Sequence, residues 1–250
     1  MGHLARKKSA GKLKNIAERL ILFKDWYKIT FPLNRVYHGV QKLHLRNGKF
    51  AYVRDVRSTD YTIVRDVLGK NEYELDYLSL PENATVLDLG GNIGAFSMEI
   101  HRQFPTARII AYEPHPANAK MFRMNAPYAT LVDKAVSRST GTIRFEDGVD
   151  FAGLKIAEEG GIAVESISLD DIVRGLERVD LLKMDIEGSE YEVLAAASPE
   201  TFIKIKRILL ETHDRPGFDD LAWAEHILSA HDFRTKWIDP QGVVYGEKVP

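Results

Sequence analysis

The stretch Thr85-Val86-Leu87-Asp88-Leu89-Gly90-Gly91-Asn92-Ile93-Gly94-Ala95-Phe96-Ser97 constrains the fold more than any other part of the chain. A β-branched and apolar run leads into an acid. Glycines then open a segment whose apolar residues, Ile93, Phe96 and Ile100, recur at helical spacing. The pattern is strand, tight turn, helix. Glycine suits such a turn because it accepts positive φ and lets another group approach the backbone closely. The first amide groups of the helix are then expected to face a ligand, as in dinucleotide-binding folds.

The spacing here is Gly-Gly-Asn-Ile-Gly rather than G-x-G-x-x-G, and Asp88 stands two residues before Gly90. A carboxylate there repels phosphate and welcomes an ammonium, which points to S-adenosylmethionine, a ligand with a cationic amine and a sulfonium. Glu113 follows Asp88 by 25 residues. That is close to the distance at which nucleotide-binding βαβ units present a carboxylate to the two ribose hydroxyls. Glu113 also disfavours a 2′-phosphate. The structural alternatives are an ordinary glycine-containing turn and a Glu-Pro helix entry.

Across 250 residues with 44% hydrophobic content, one sizeable core is expected, with a modest N-terminal extension. Residues 1–71 are read as that extension and 72–250 as the ligand-binding domain. Charged residues nearly cancel, to −2, so no global field favours nucleic acid or an acidic membrane. The chain has no cysteine, which excludes disulfides, thiolate metal sites and cysteine nucleophiles, and suits a cytoplasmic protein. No window is long and apolar enough for a transmembrane segment. The basic tail Met1–Lys14 reads as a solvated end, with contact to an anionic partner as the alternative.

Residues 15–29 place Ile16, Leu20, Phe23 and Tyr27 on one helical face, ending before Pro32. Leu43–Val53 alternates about Asn47-Gly48, which predicts a hairpin with a two-residue turn. Tyr61–Tyr73 reads as a helix with Gly69 near its C-cap. From Thr85 onwards strands and helices alternate, which predicts a parallel α/β sheet. Its strands are expected at Thr85–Leu89, Ala107–Tyr112, Ala129–Asp133, Val179–Met184 and Lys206–Glu211, with helices at 116–125, 189–197 and 221–230. Residues 134–170 break the rhythm and read as an insertion carrying two strands, and 233–245 as a terminal antiparallel hairpin. Ligands gather at the carboxyl ends of such strands. Those ends carry Asp88, Glu113, Asp133, Asp185 with Glu187, and Glu211 with His213.

The series Val86–Gly94, Glu113-Pro114, Ala135-Val136-Ser137 and Lys183-Met184-Asp185-Ile186-Glu187-Gly188-Ser189-Glu190 resembles the FkbM family of S-adenosylmethionine-dependent methyltransferases. The last of these is the most specific part, and the resemblance covers residues 72 to about 237. It implies an α/β class I methyltransferase fold, Rossmann-like, with a seven-stranded mostly parallel sheet and an antiparallel last strand. It also implies O-methylation of a sugar-containing or small natural-product acceptor. Where the family usually has Gly-Ala-Asn this chain has Gly90-Gly91-Asn92, a small-for-small change expected to leave the turn undisturbed. By resemblance, Asp88, Gly90, Asn92 and Gly94 line the methionine end, Glu113 is the ribose acid, Asp133 sits where such folds contact the adenine amino group, and Gly91, Pro114 and Ala135 also belong to the cofactor site. Asp133 could instead cap its own loop.

Methyl transfer to oxygen is an in-line displacement that also removes a proton. Asp185, Glu187 and His213 are the candidate catalytic residues, with Asp185 also near the cofactor. A histidine has a suitable ordinary pKa for a base, whereas a carboxylate would need its pKa raised. Asp185 and Glu187 can both face the cleft only from an irregular turn. That arrangement would also suit Mg²⁺, but no full oxygen-ligand set is legible, so no metal is assigned. The acceptor pocket is expected from residues 134–170, the loop 211–218 and the N-terminal extension. A small-molecule or glycan acceptor is the expected partner. Nucleic acid is disfavoured, and a homo-oligomer is left open. The competing readings are an RNA methyltransferase, suggested by basic residues around the hairpin, and a non-catalytic adenosyl-ligand-binding protein. A nicotinamide oxidoreductase would want the glycine spacing that is missing.

Overall fold

The computed structural model describes residues 16–30, 39–54, 58–145, 162–213, 219–239 and 242–249. The basic tail, the loop Glu158–Gly161 and the loop 214–217 therefore lie outside the described residues. Two compact units are present, Met1–Lys70 and Asn71–Pro250.

In the smaller unit the expected helix over 15–29 is two pieces, residues 16–22 and Trp26–Thr30. The break occurs because Phe23, fully buried, forms an antiparallel bridge with Leu45. Beside it, Lys24 N donates to His44 O (2.9 Å) and Arg46 N to Leu22 O (2.8 Å). The hairpin forms from β1 (Gln41–His44) and β2 (Phe50–Val53), with Leu43 opposite Ala51. Its turn differs from expectation. Leu45 N donates to Lys49 O, leaving the three residues Arg46, Asn47 and Gly48 in the loop. Only Gly48 among them has positive φ, whereas a two-residue type I′ turn needs it twice. Asn47 instead accepts from Lys49 N and donates to Leu68 O at 2.8 Å. The helix expected over 61–73 starts as Asp60–Ile63 and continues as a π-helical segment, Val64–Gly69. It ends there, with Lys70 N donating to Arg65 O.

The larger unit is built on a seven-stranded sheet. Its strands are β3 (Thr85–Leu89), β4 (Arg108–Tyr112), β5 (Thr130–Val132), β9 (Leu181–Met184), β10 (Arg207–Glu211), β11 (Phe233–Asp239) and β12 (Val243–Lys248). The spatial order is β11-β12-β10-β9-β3-β4-β5. Pairing is parallel throughout the β5 to β10 block, and β12 runs antiparallel to both its neighbours. The last strand thus slots between β10 and β11, which is the class I methyltransferase arrangement. Central strands are buried on both faces, as a place between two helical layers requires: Leu87, Leu89, Leu182, Met184, Ile208 and Leu210 on one face, and Val86, Leu181 and Leu209, with Asp88 and Lys183, on the other.

Among the described residues of this unit, six α-helices accompany the sheet: α1 (Ala95–Gln103), α2 (Pro116–Asn125), α3 (Leu169–Arg174), α4 (Glu190–Ala196), α5 (Pro199–Lys204) and α6 (Asp220–Ala230). Of these, α3 and α5 are additional to the expected set. Ser168 caps α3 by accepting from Asp171 N, and Pro199 opens α5. The irregular region holds a separate small sheet in the order β6 (Ala135–Val136), β8 (Ile162–Ile167), β7 (Gly141–Phe145). The expected acceptor pocket falls in part on residues 146–161 and 214–218, outside the described residues.

Candidate functional site

The carboxyl ends of β3, β4, β9 and β10 bring the expected residues to one edge of the sheet. At the β3 end, Asp88 is fully buried. Its Oδ2 accepts from Ser97 Oγ at 2.7 Å, and its Oδ1 lies 3.5 Å from Lys183 Nζ. The ammonium beside Asp88 is thus supplied by β9. The turn that follows is closed from within: Gly90 N and Gly91 N both donate to Tyr112 O, and Gly94 N donates to Gly91 O. Asn92 N donates to Glu113 Oε2 at 2.9 Å. These four amides are engaged inside the protein, so the expectation that the turn's N–H groups face a ligand does not hold for them. Protein atoms also account for the glycines. A Cβ at Gly91 would lie 2.9 Å from the Phe122 ring, so the family's alanine is not a neutral exchange for Gly91.

Glu113 follows β4 and is buried, accepting from Asn92 N, His115 N (2.8 Å) and Asn118 Nδ2 (3.4 Å). Burial pushes its pKa up to about 7 against the pull of those donors. Pro114 precedes α2, whose first turn is capped by the His115 ring accepting from Ala117 N. Asn92 sits at φ 46° with its Oδ1 buried and without a hydrogen-bond partner. An open acceptor beside a buried carboxylate suits a ligand carrying an amine and a diol. Asp133 pairs with Arg123, both oxygens at 2.7 Å, and is half exposed; it does not act as a cap for its own loop. Ala135 is buried at the start of β6.

At the ends of β9 and β10 the candidates converge. Glu187 and Gly188 both have positive φ, which supplies the irregular turn that Asp185 and Glu187 need to face the same space. His213 Nε2 lies 3.7 Å from Asp185 Oδ1 and 3.5 Å from Glu187 Oε2. On the other side of the ring, Nδ1 lies 3.3 Å from Oε1 of buried Glu190. Burial alone would lower the His213 pKa; Glu190, Asp185 and Glu187 outweigh it and raise the pKa to about 9. The free protein therefore carries imidazolium at neutral pH, and the ordinary pKa that recommended His213 as a base does not apply. Among the acids at this edge, burial and the charge of Asp185 push Glu211 up to about 8. Tyr73 OH donates to Glu211 Oε2 at 3.1 Å.

Lys183 joins the two halves. Its Nζ donates to Gly90 O at 2.8 Å and lies 3.2 Å from Asp185 Oδ2. Burial opposes its charge, but Asp185 and Asp88 hold its pKa above the ordinary value. Lys183, Glu190 and Tyr73 are absent from the residues read from sequence as functional. A signal for Lys183 exists, since a charge in Leu181-Leu182-Lys183-Met184, a strand buried on both faces, needs a partner. Among the described residues, Asp185, Glu211 and His213 also form a group whose ligand atoms lie within 4.8 Å of one another.

Comparison with known proteins accords with this geometry. The "Methyltransferase sdnD" of Sordaria araneosa is 30% identical over 57% of this chain and 71% of its own length. The "31-O-demethyl-FK506 methyltransferase FkbM" of Streptomyces tacrolimicus is 27% identical over 71% of this chain and 84% of its own. The "2-O-methyltransferase NoeI" of Sinorhizobium fredii is 31% identical over 54% of this chain and 65% of its own. Residues 88–242, which hold every strand of the large sheet except the start of β3 and the whole of β12, match the family described as Methyltransferase FkbM domain. The chain belongs to this family of S-adenosylmethionine-dependent methyltransferases.

Proposed function

We propose that the chain methylates a hydroxyl group on a sugar-containing or other small natural-product acceptor. The observation that carries this reading is the Lys183 bridge between Gly90 O and Asp185, which sets the glycine turn directly beside the acidic edge. The names of the FkbM and NoeI relatives, each specifying an O-methyl position, support oxygen as the acceptor atom.

S-adenosylmethionine, when bound, supplies the electrophilic methyl group. In this reading the methionine end lies against the turn of Asp88, Gly90, Gly91, Asn92 and Gly94, meeting the open Oδ1 of Asn92 rather than the internally paired amides, with the ribose on Glu113 beside Pro114 and the adenine toward Asp133 and Ala135. Asp185, Glu187 and His213 hold the acceptor hydroxyl. As the oxygen–carbon bond forms and the carbon–sulfur bond breaks, the hydroxyl proton passes to a carboxylate of this edge. Glu187 is the most open of them, at 36% side-chain exposure. Incubating the protein with labelled S-adenosylmethionine and a panel of polyhydroxylated glycosides and macrolides tests the reading. Label in an O-methyl ether is the expected product; label confined to nitrogen, carbon or RNA contradicts it.

A further inference from the structure

We infer that Asp185, Glu211 and His213 form a binding site for one divalent first-row metal ion. The inference rests on the reading of this edge as the hydroxyl-methylating centre and deepens it. Three donor atoms from two strand ends lie within 4.8 Å of one another: a carboxylate oxygen from each acid and a ring nitrogen of His213. Neighbouring ligands around one such ion stand about 3 Å apart, so modest side-chain closure completes the set.

Glu190 is the independent observation. Its side chain is 1% exposed, its Oε1 faces His213 Nδ1 at 3.3 Å, and its Oε2 has no hydrogen-bond partner. Metal-ligating histidines characteristically give their second ring N–H to a carboxylate, which fixes the tautomer and aims the other nitrogen at the ion. Here Glu190 Oε1 stands 3.3 Å from Nδ1, at ion-pair distance and within a small ring rotation of a hydrogen bond, while Nε2 is turned toward Asp185 and Glu187. Ile186 N donates to Glu190 Oε1 at 2.7 Å, so the carboxylate is itself held in place. Charge balance points the same way. Asp88, Asp185, Glu187, Glu190 and Glu211 crowd an edge where Lys183, already shared between Asp88 and Asp185, and His213 supply the facing cations among the described residues.

Two carboxylates and an imidazole suit Mn²⁺ or a similar ion better than Mg²⁺ or Ca²⁺, which favour all-oxygen sets. Three protein ligands leave open positions for an acceptor hydroxyl. Bound there, the oxygen is polarised and its proton is lost more easily, with Glu187, outside the ligand set, in reach to accept it.

The test is calorimetric and electron-paramagnetic titration of the chelator-treated full chain with Mn²⁺, alongside titration with S-adenosylhomocysteine. One equivalent of Mn²⁺ is expected to bind. Glu211→Gln and His213→Ala should each weaken it at least about tenfold, and Glu190→Gln about 10-fold or more through His213. Circular dichroism and retained S-adenosylhomocysteine binding report that each variant is folded. Absence of Mn²⁺ binding by the wild-type chain, or binding that these variants leave unchanged, overturns the metal site. If S-adenosylhomocysteine still binds and O-methyl transfer persists in chelator, the proposed function survives that failure; if transfer to oxygen itself is absent, that reading fails separately.

Discussion

A Cβ at position 90 would stand 1.7 Å from the main-chain oxygen of Asp185, so Gly90 and Asp185 are in contact through backbone alone. Gly90 also has φ +83°, a conformation that L side chains rarely adopt. Gly90→Ala is therefore expected to cost at least about 2 kcal/mol and to displace the β9 end with the turn. Urea denaturation checks the first part and S-adenosylhomocysteine titration the second. An alanine variant with wild-type stability and affinity would contradict the contact.

Gly91 answers to a side chain instead. Alanine there meets the fully buried Phe122 ring, so Gly91→Ala should cost about 1–3 kcal/mol by overpacking. Phe122→Leu opens space, so the double variant should lose less than the sum of the single losses. A double-mutant cycle with a coupling below about 0.5 kcal/mol would show that the two positions do not meet.

Lys183 is the buried cation on which both halves of the site lean. Lys183→Met leaves Asp88 and Asp185 without it and Gly90 O without its donor, for an expected loss of about 3–5 kcal/mol. Thermal unfolding of the two proteins in parallel measures this. An equally stable methionine variant would mean that the acids are neutralised by other means.

How far the sequence reveals this site depends on whether a residue acts through its position in the chain or across it. Asp88, Glu113, Asp185, Glu211 and His213 were legible because a strand's carboxyl end is a local property, set by where an apolar run stops. Lys183 showed only that it needed a partner, and Glu190 showed nothing, because their roles are long-range: Lys183 crosses to the β3 turn, and Glu190 turns from the start of α4 to a histidine on the next strand's loop. The same holds in the smaller unit. Phe23 leaves its helix to pair with Leu45, and Asn47 forgoes the two-residue turn to bond Leu68. The large sheet was readable because its alternation of strand and helix repeats over a long stretch. The family resemblance implied an antiparallel last strand, but its slotting between β10 and β11 was not legible, since a hairpin pattern alone does not say which of its two strands pairs with β10.

Glu113 gives a pH dependence whose sign is fixed. Its folded pKa of about 7 lies above the ordinary 4.5, so the folded chain holds this proton longer than the unfolded one. Its contribution to stability is thus complete below about 4.5 and is lost as pH rises toward 7. Ribose hydroxyls donate to the carboxylate form, so ligand binding releases the proton. S-adenosylhomocysteine affinity should rise between pH 6 and pH 8 and then level off, and Glu113→Gln should flatten the profile. Titrations at several pH values check this, and an unaltered slope in the variant would assign the proton elsewhere.

The central claim is that an adenosyl ligand binds with its methionine end at the glycine turn and its ribose on Glu113. Calorimetric titration of wild type and Glu113→Ala with S-adenosylhomocysteine, and of wild type with NAD, tests it most directly. The account predicts micromolar binding of S-adenosylhomocysteine, none of NAD, and at least tenfold weaker binding by a folded Glu113→Ala, about 1.4 kcal/mol. Binding of NAD in place of S-adenosylhomocysteine, or unchanged affinity in Glu113→Ala, would contradict it.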